Sequence, residues 1–149
     1  NDAIAWNGLG RLHAEQGRLA DALPCFETAV RLGGGASACS NLGGLYTQMG
    51  RFDEALAQFN EALRLDPSNA SAHGNLGALL AQQGKYDEAR RRLEEAVRLD
   101  PTYDAAAKNL AKLLIQQGDA ANAGARLQDL LQRTPHDAEA RALLDAMAP

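Results

Sequence analysis

The chain has 149 residues, 46% of them hydrophobic and 23% charged, with a formal net charge of −4. That balance describes a soluble globular protein of about one domain, without the basic footprint that nucleic-acid binding needs and without any stretch near the roughly 18 apolar residues of a membrane span. Aromatic residues make up only 5%, so the core must come mainly from Ala and Leu.

In chain order the sequence resolves into four similar units within one domain of residues 1–149. The first, 3–35, pairs a helix bearing Ile4, Gly8, Arg11 and Glu15 on one face with a second helix in "GRLADALPCFETAVRLGG" (Gly17 to Gly34). The second, 36–69, places Ala38, Leu42, Leu45 and Tyr46 at i, i+4, i+7 and i+8, a single helical face. Gly50 then breaks the helix, and "GRFDEALAQFNEALRLDP" supplies its partner. The third, 70–103, repeats the stripe as Ala72, Leu76, Leu79 and Leu80 before "GKYDEARRRLEEAVRLDP". The fourth, 104–137, is more worn and ends in "GDAANAGARLQDLLQRTP". Asp53-Glu54 and Asp87-Glu88 open second helices where the dipole favours acid, and Pro67, Pro101 and Pro135 prevent continuation.

The turn glycines at 17, 50, 84 and 118 step by 33, 34 and 34 residues, a period that signals a solenoid. Residues 138–148 restart a first helix with Asp137 as its N-cap. Asp145 stands there where earlier units have a small residue, so a solvating cap is expected, with Leu143, Leu144 and Met147 turned to unit four. Small residues mark the close crossings: Gly10, Gly43, Gly77 and Ala111 are expected to meet Ala22, Ala55, Ala89 and Ala123. Leu19, Phe52 and Tyr86 are expected to seal each hairpin.

These features resemble the tetratricopeptide repeat (TPR) family, whose pattern is met most fully by Leu42, Gly43, Tyr46, Gly50, Phe52, Ala55, Phe59, Ala62 and Pro67. On the family's period the resemblance spans about 90% of the chain. It implies an all-α, right-handed α-solenoid of four helix-turn-helix repeats plus a C-terminal capping helix, with a concave groove lined by the first helices. Repeat one lacks the closing Pro, and repeat four has Ala120 and Leu130 where an aromatic residue and Ala belong.

Asn41, Asn75 and Asn109 each precede the repeated Leu and are expected to point into that groove. Their stripes are Ser37, Asn41, Gly44 and Gln48; then Ser71, Asn75, Ala78 and Gln82; then Ala105, Asn109, Lys112 and Gln116. An asparagine side chain can pair with the N–H and C=O of a peptide unit, so a row of them can hold an extended chain by its backbone. At about 0.5–1.5 kcal/mol per hydrogen bond, three bidentate pairs amount to roughly 3–9 kcal/mol gross. Ordering the peptide opposes this, which leaves micromolar affinity. Gly44, Gly74 and Ala78 are expected to leave room for the chain, with Gln48, Gln82, Gln116, Lys108 and Lys112 at the edges. The row is similar to the asparagine ladder of the O-linked N-acetylglucosamine transferase superhelix, which grips polypeptide backbones; Gly8 interrupts it in repeat one. The alternative is that each asparagine only bonds the neighbouring helix. A carboxylate clamp for acidic tails is disfavoured, because its positions hold Asn7, Arg11, Ser71 and Asn75.

Other features point away from catalysis. Cys25 and Cys39 read as reduced, buried thiols; His13, His73 and His136 are scattered; "GGG" at Gly33 to Gly35 follows a helix instead of opening one after a strand. Arg90-Arg91-Arg92 beside Glu94 and Glu95 reads as a solvated surface. The expected protein is therefore a non-enzymatic, protein–protein interaction scaffold without cofactor or metal, binding a protein or extended peptide, with no nucleic acid and no membrane insertion. Two competing roles stay open. One is a homo-oligomeric assembly module, which exposed apolar residues near Ile4, Trp6 and the last helix favour. The other is the targeting arm of a larger enzyme such as a glycosyltransferase. The sequence opens on Asn1, not methionine, which fits a fragment or processed product of the cytoplasm or else the periplasm.

Overall fold

The computed structural model describes residues 2–147 and, among them, nine helices and no strands. They form antiparallel pairs: α1 (Ala3–Glu15) with α2 (Leu19–Arg31), α3 (Gly35–Gln48) with α4 (Phe52–Leu65), α5 (Ala70–Gln82) with α6 (Tyr86–Leu99), and α7 (Asp104–Gln116) with α8 (Ala120–Arg133). A short α9 (Ala138–Asp145) closes the series. The expected cap reached 148; Ala148 lies outside the described residues.

Each pair turns on the same local chemistry. Gly17, Gly50, Gly84 and Gly118 all take positive φ, between 73° and 78°, a region that a side chain disfavours. This lets the next amide reach back five residues: Arg51 N–H donates to Tyr46 O at 2.8 Å, Lys85 N–H to Leu80 O at 2.9 Å and Asp119 N–H to Leu114 O at 2.8 Å, which satisfies carbonyls at the helix end. Between pairs, the Asp-Pro turns are closed by the aspartate. Asp66 Oδ1 accepts from Ser68 N–H at 3.0 Å, and Asp100 Oδ1 from Thr102 N–H at 2.9 Å. Both carboxyls are held below the usual carboxylate range, chiefly by the Ser68 and Thr102 hydroxyls.

Packing is an alternation. Every helix touches its pair partner, every even helix touches the next odd one, and α1, α3, α5 and α7 also touch in series. No two even helices make contact of that extent, so the array curls with the odd helices on the inside. The close crossings differ in detail from expectation. Gly10 and Gly43 lie closest to the rings of Phe26 and Phe59: an added Cβ would come within 2.7 Å and 2.6 Å of those rings. Gly77 meets Leu93 in the same way, with Ala89 O behind it at 3.1 Å. The large second-helix side chain, Phe26, Phe59 or Leu93, fills the crossing, so it dictates the glycine. Phe52 and Tyr86 do not seal their hairpins fully; they stay 42% and 37% exposed. Pro24 sits inside α2, facing solvent. Cys25 and Cys39 are free, buried thiols whose burial pushes their pKa up and keeps them protonated and inert. No helix among the described residues is long and apolar enough to cross a membrane.

Candidate functional site

The inner face is built by adjacency in sequence. Leu42, Leu76 and Leu110 are sunk into the core at 3%, 1% and 1% exposure. The residue before each is turned about 100° around the helix, which carries Asn41, Asn75 and Asn109 out toward the groove. Two adjoining concavities result. The first, about 430 Å³, holds Asn41, Gln48 and Asn75, with Arg11 and Glu15 at its outer end. The second, about 250 Å³, holds Gln82, Asn109, Lys112 and Gln116. Ala78 lines both, so they are successive reaches of one groove. A Cβ on Gly44 would meet only Asn75 Nδ2, at 3.9 Å, so that floor is open.

Seven of the eight residues named from sequence thus lie together in the groove. The eighth, Lys108, does not. Its ammonium is drawn away to the cap, 3.0 Å from Asp137 Oδ2 and 2.9 Å from Glu139 Oε2; those partners, Glu139 first, push its pKa up. Gly74 is a second departure. It is buried, and a Cβ there would strike Tyr103 Cε1 at 2.6 Å. The glycine makes room for the ring of Tyr103, the residue just before α7, not for a ligand.

The three asparagines are not equivalent. Asn41 Nδ2 donates to Asn7 Oδ1 at 2.9 Å, and Asn7 Nδ2 reaches Ser37 Oγ at 3.5 Å. Asn75 makes two long contacts: its Nδ2 donates to Ser71 Oγ at 3.5 Å and its Oδ1 accepts from Tyr103 OH at 3.4 Å. Asn109 has no side-chain hydrogen bond among the described residues. Gln116 Nε2 donates to Tyr86 OH at 2.8 Å, while Gln48 and Gln82 are exposed. Charges in the groove are answered locally: Arg11 lies 4.0 Å from Glu15, and Lys112 pairs with Glu139. What remains is a neutral, amide-lined surface. No cluster of three or more metal-ligating side chains occurs among the described residues.

Sequence reasoning missed the column one residue earlier. Asn7, Ser40, Gly74 and Lys108 each meet the following odd helix or the residue that caps it: amide to amide, hydroxyl to hydroxyl (Ser40 to Ser71 at 3.3 Å), glycine to ring, and ammonium to carboxylate. The signal was available. This column changes chemistry at every repeat while the asparagine beside it does not.

A stack of helix pairs with an amide-lined inner face defines a helical-repeat scaffold. Family models agree: a TPR repeat model matches residues 43–84, and tetratricopeptide repeat models match 80–147 and 3–34. The chain belongs to the tetratricopeptide repeat family. A comparison with curated protein sequences returns no match. Among solved structures, PilF from Pseudomonas aeruginosa is similar over 99% of this chain and 77% of its own, at 23% identity and TM-score 0.77. YrrB, a TPR protein with an unusual peptide-binding site, is similar over 94% of this chain and 73% of its own, at 23% identity and TM-score 0.72. The match to the Cut9–Hcn1 hetero-tetramer of the APC/C reaches TM-score 0.87 at 19% identity, but this chain spans only 30% of that one. At these identities the likeness speaks to the fold.

Proposed function

We propose that this chain is a non-catalytic scaffold whose groove grips an extended segment of a partner protein by its main chain. The observation that carries the reading is the convergence of neutral amides, from Asn41 to Gln116, on one continuous groove with charges already countered. A main-chain clamp needs donors and acceptors of that kind and no net charge, because every peptide unit offers one N–H and one C=O. The open floor at Gly44 and Ala78 lets a backbone lie close, and YrrB, of the same fold, has a peptide-binding site. Asn109, without a side-chain hydrogen bond among the described residues, is the strongest of the three ladder residues. Asn75, held only by long contacts, comes next.

The test is selection of a random peptide library on the wild-type protein, counter-screened on an Asn75→Ala/Asn109→Ala variant of unchanged melting temperature. Peptides that bind the first and lose about tenfold or more on the second support the clamp, since two bidentate pairs make four hydrogen bonds at about 0.5–1.5 kcal/mol each. Peptides that bind both proteins alike would return the asparagines to a purely structural role.

A further inference from the structure

The groove is hollowed at one place, and the internal repeat shows where. The position three residues after each groove asparagine, with its counterpart in the first unit, reads Arg11, Gly44, Ala78 and Lys112. Long side chains stand at the two ends of that row and almost none in the middle. The first reach of the groove opens at Gly44 and Ala78. Its back is apolar: the Phe26 and Phe59 rings, which lie against Gly10 and Gly43, reach it from the outer helices α2 and α4 and are joined there by Leu45 and Ala14. At the next crossing Leu93 takes the place of the ring. It does not line the second reach, which has Ala78 and Lys112 at the register of Gly44 and Ala78.

We propose that this hollow is a side-chain pocket, and that the segment held in the groove carries one large apolar residue seated between Gly44 and Ala78. The polar groups around the hollow are already engaged. Ser40 Oγ lies 3.3 Å from Ser71 Oγ, Thr47 Oγ1 donates to Gly43 O at 3.0 Å, and Asn41 Nδ2 donates to Asn7 Oδ1 at 2.9 Å. A polar side chain entering there would lose water without gaining a partner, which is costly; an apolar one gains by leaving water. Size agrees. A dry cavity of about 150 Å³ holds benzene, so a hollow of about 430 Å³ takes a leucine or phenylalanine side chain with room for main chain at its mouth. Helices α3 and α5 touch, and packed helices lie roughly 8–10 Å apart, a step of about three residues of extended chain. Side chains alternate in direction along such a chain, so one enters the hollow while its two neighbours face away. The pocket rests on the groove being the binding face, as proposed above, and supplies the selectivity that a main-chain clamp by itself lacks.

Gly44→Leu closes the hollow from its open side, where an added Cβ would meet only Asn75 Nδ2, at 3.9 Å. The variant also removes a glycine from a helix interior, so it should melt no lower than the wild type. The first probe is N-acetyl-leucine methylamide, titrated to tens of millimolar against isotope-labelled protein. It is expected to shift the Gly44 and Ala78 amide resonances saturably, with a much smaller effect from N-acetyl-asparagine methylamide and none at Ala78 in the Gly44→Leu protein. The second probe is the set of peptides selected on the wild type. Each should carry a Leu, Ile, Met or Phe whose replacement by Ala weakens binding about tenfold, and Gly44→Leu should abolish that difference. Peptides lost on Asn75→Ala/Asn109→Ala but indifferent to their apolar residue and to Gly44→Leu overturn the pocket and leave the clamp standing. Peptides that ignore the asparagine variant yet depend on the apolar residue and on Gly44 support the pocket and remove the clamp. Should selection return nothing, the first probe decides: no saturable shift, or an equal one from the asparagine compound or in Gly44→Leu, overturns the pocket.

Discussion

The two reaches of the groove repeat one sequence pattern yet are organised differently. In the first, Asn41 is tied to Asn7, and the neighbouring junction is a hydroxyl pair, Ser40 with Ser71. In the second, Asn109 makes no side-chain hydrogen bond among the described residues, and the neighbouring junction is ionic, Lys108 with Asp137 and Glu139. Between them Gly74 admits the Tyr103 ring, whose hydroxyl reaches Asn75. A residue kept at the same repeat position can therefore bond the neighbouring repeat at one end and make no such bond at the other. What decides is whether the preceding repeat supplies an internal partner, as Asn7 does for Asn41.

The boundary between the two reaches is where a small change does most. Gly74→Ala would gain about 0.5–1 kcal/mol of helix propensity, but its Cβ would lie 2.6 Å from a mid-ring atom of Tyr103. Overpacking of that kind costs about 1–3 kcal/mol, so the clash wins and a net loss of about 1–2 kcal/mol is expected in urea denaturation. The Asn75 contact would go with it. A double-mutant cycle with Tyr103→Ala checks the cause, since residues that meet are non-additive; additive losses would mean the ring and the glycine do not meet.

The asparagines sharpen the contrast. Asn41→Ala leaves Asn7 Oδ1 without its donor and should lower stability by about 0.5–1.5 kcal/mol, with a modest effect on a bound peptide. Asn109→Ala, which removes no hydrogen bond among the described residues, should change stability by no more than about 0.5 kcal/mol, while weakening a groove-selected peptide roughly two- to tenfold. Equal behaviour of the two variants in both assays would erase the distinction.

The fold was legible because each requirement left a separate mark: turn glycines at positive φ, prolines after the second helices, and a leucine stripe at helical spacing. The inward turn of the asparagines followed from the same geometry. Their inequality was not legible, because it depends on contacts between residues some 28 to 34 positions apart, such as Asn41 with Asn7 and Asn75 with Tyr103. Helical periodicity says which way a side chain points and nothing about what meets it. Lys108 and Gly74 were misplaced for that reason. Both have the register of near-groove residues, and both are claimed by side chains that lead into or lie on the following odd helix, Tyr103 for Gly74 and Asp137 and Glu139 for Lys108.

The ionic junction also gives the second reach a pH dependence that the first lacks. Asp137 is held below the usual carboxylate range, first by the Ala140 amide that it caps and then by Lys108; Glu139 is lowered by Lys112 and then Lys108. Groups lowered in the folded state contribute stability above their ordinary values, about 3.9 for Asp and about 4.3 for Glu, and lose it as pH falls through the lowered folded values. Lys108 is raised, so its contribution is complete below the ordinary lysine value of about 10.4 and is lost as pH rises through the higher folded one. The docking of α9 should therefore be flat across neutral pH and weaken at both extremes. Hydrogen-exchange protection factors measure it: residues 138–145 should lose protection relative to 70–82 as the solution is taken from pH 7 to pH 3. Lys108→Met should lower protection of 138–145 already at pH 7 and shrink the further loss on acidification. An undiminished loss would assign the acid sensitivity to the Asp137 cap alone and leave the lysine out of the junction.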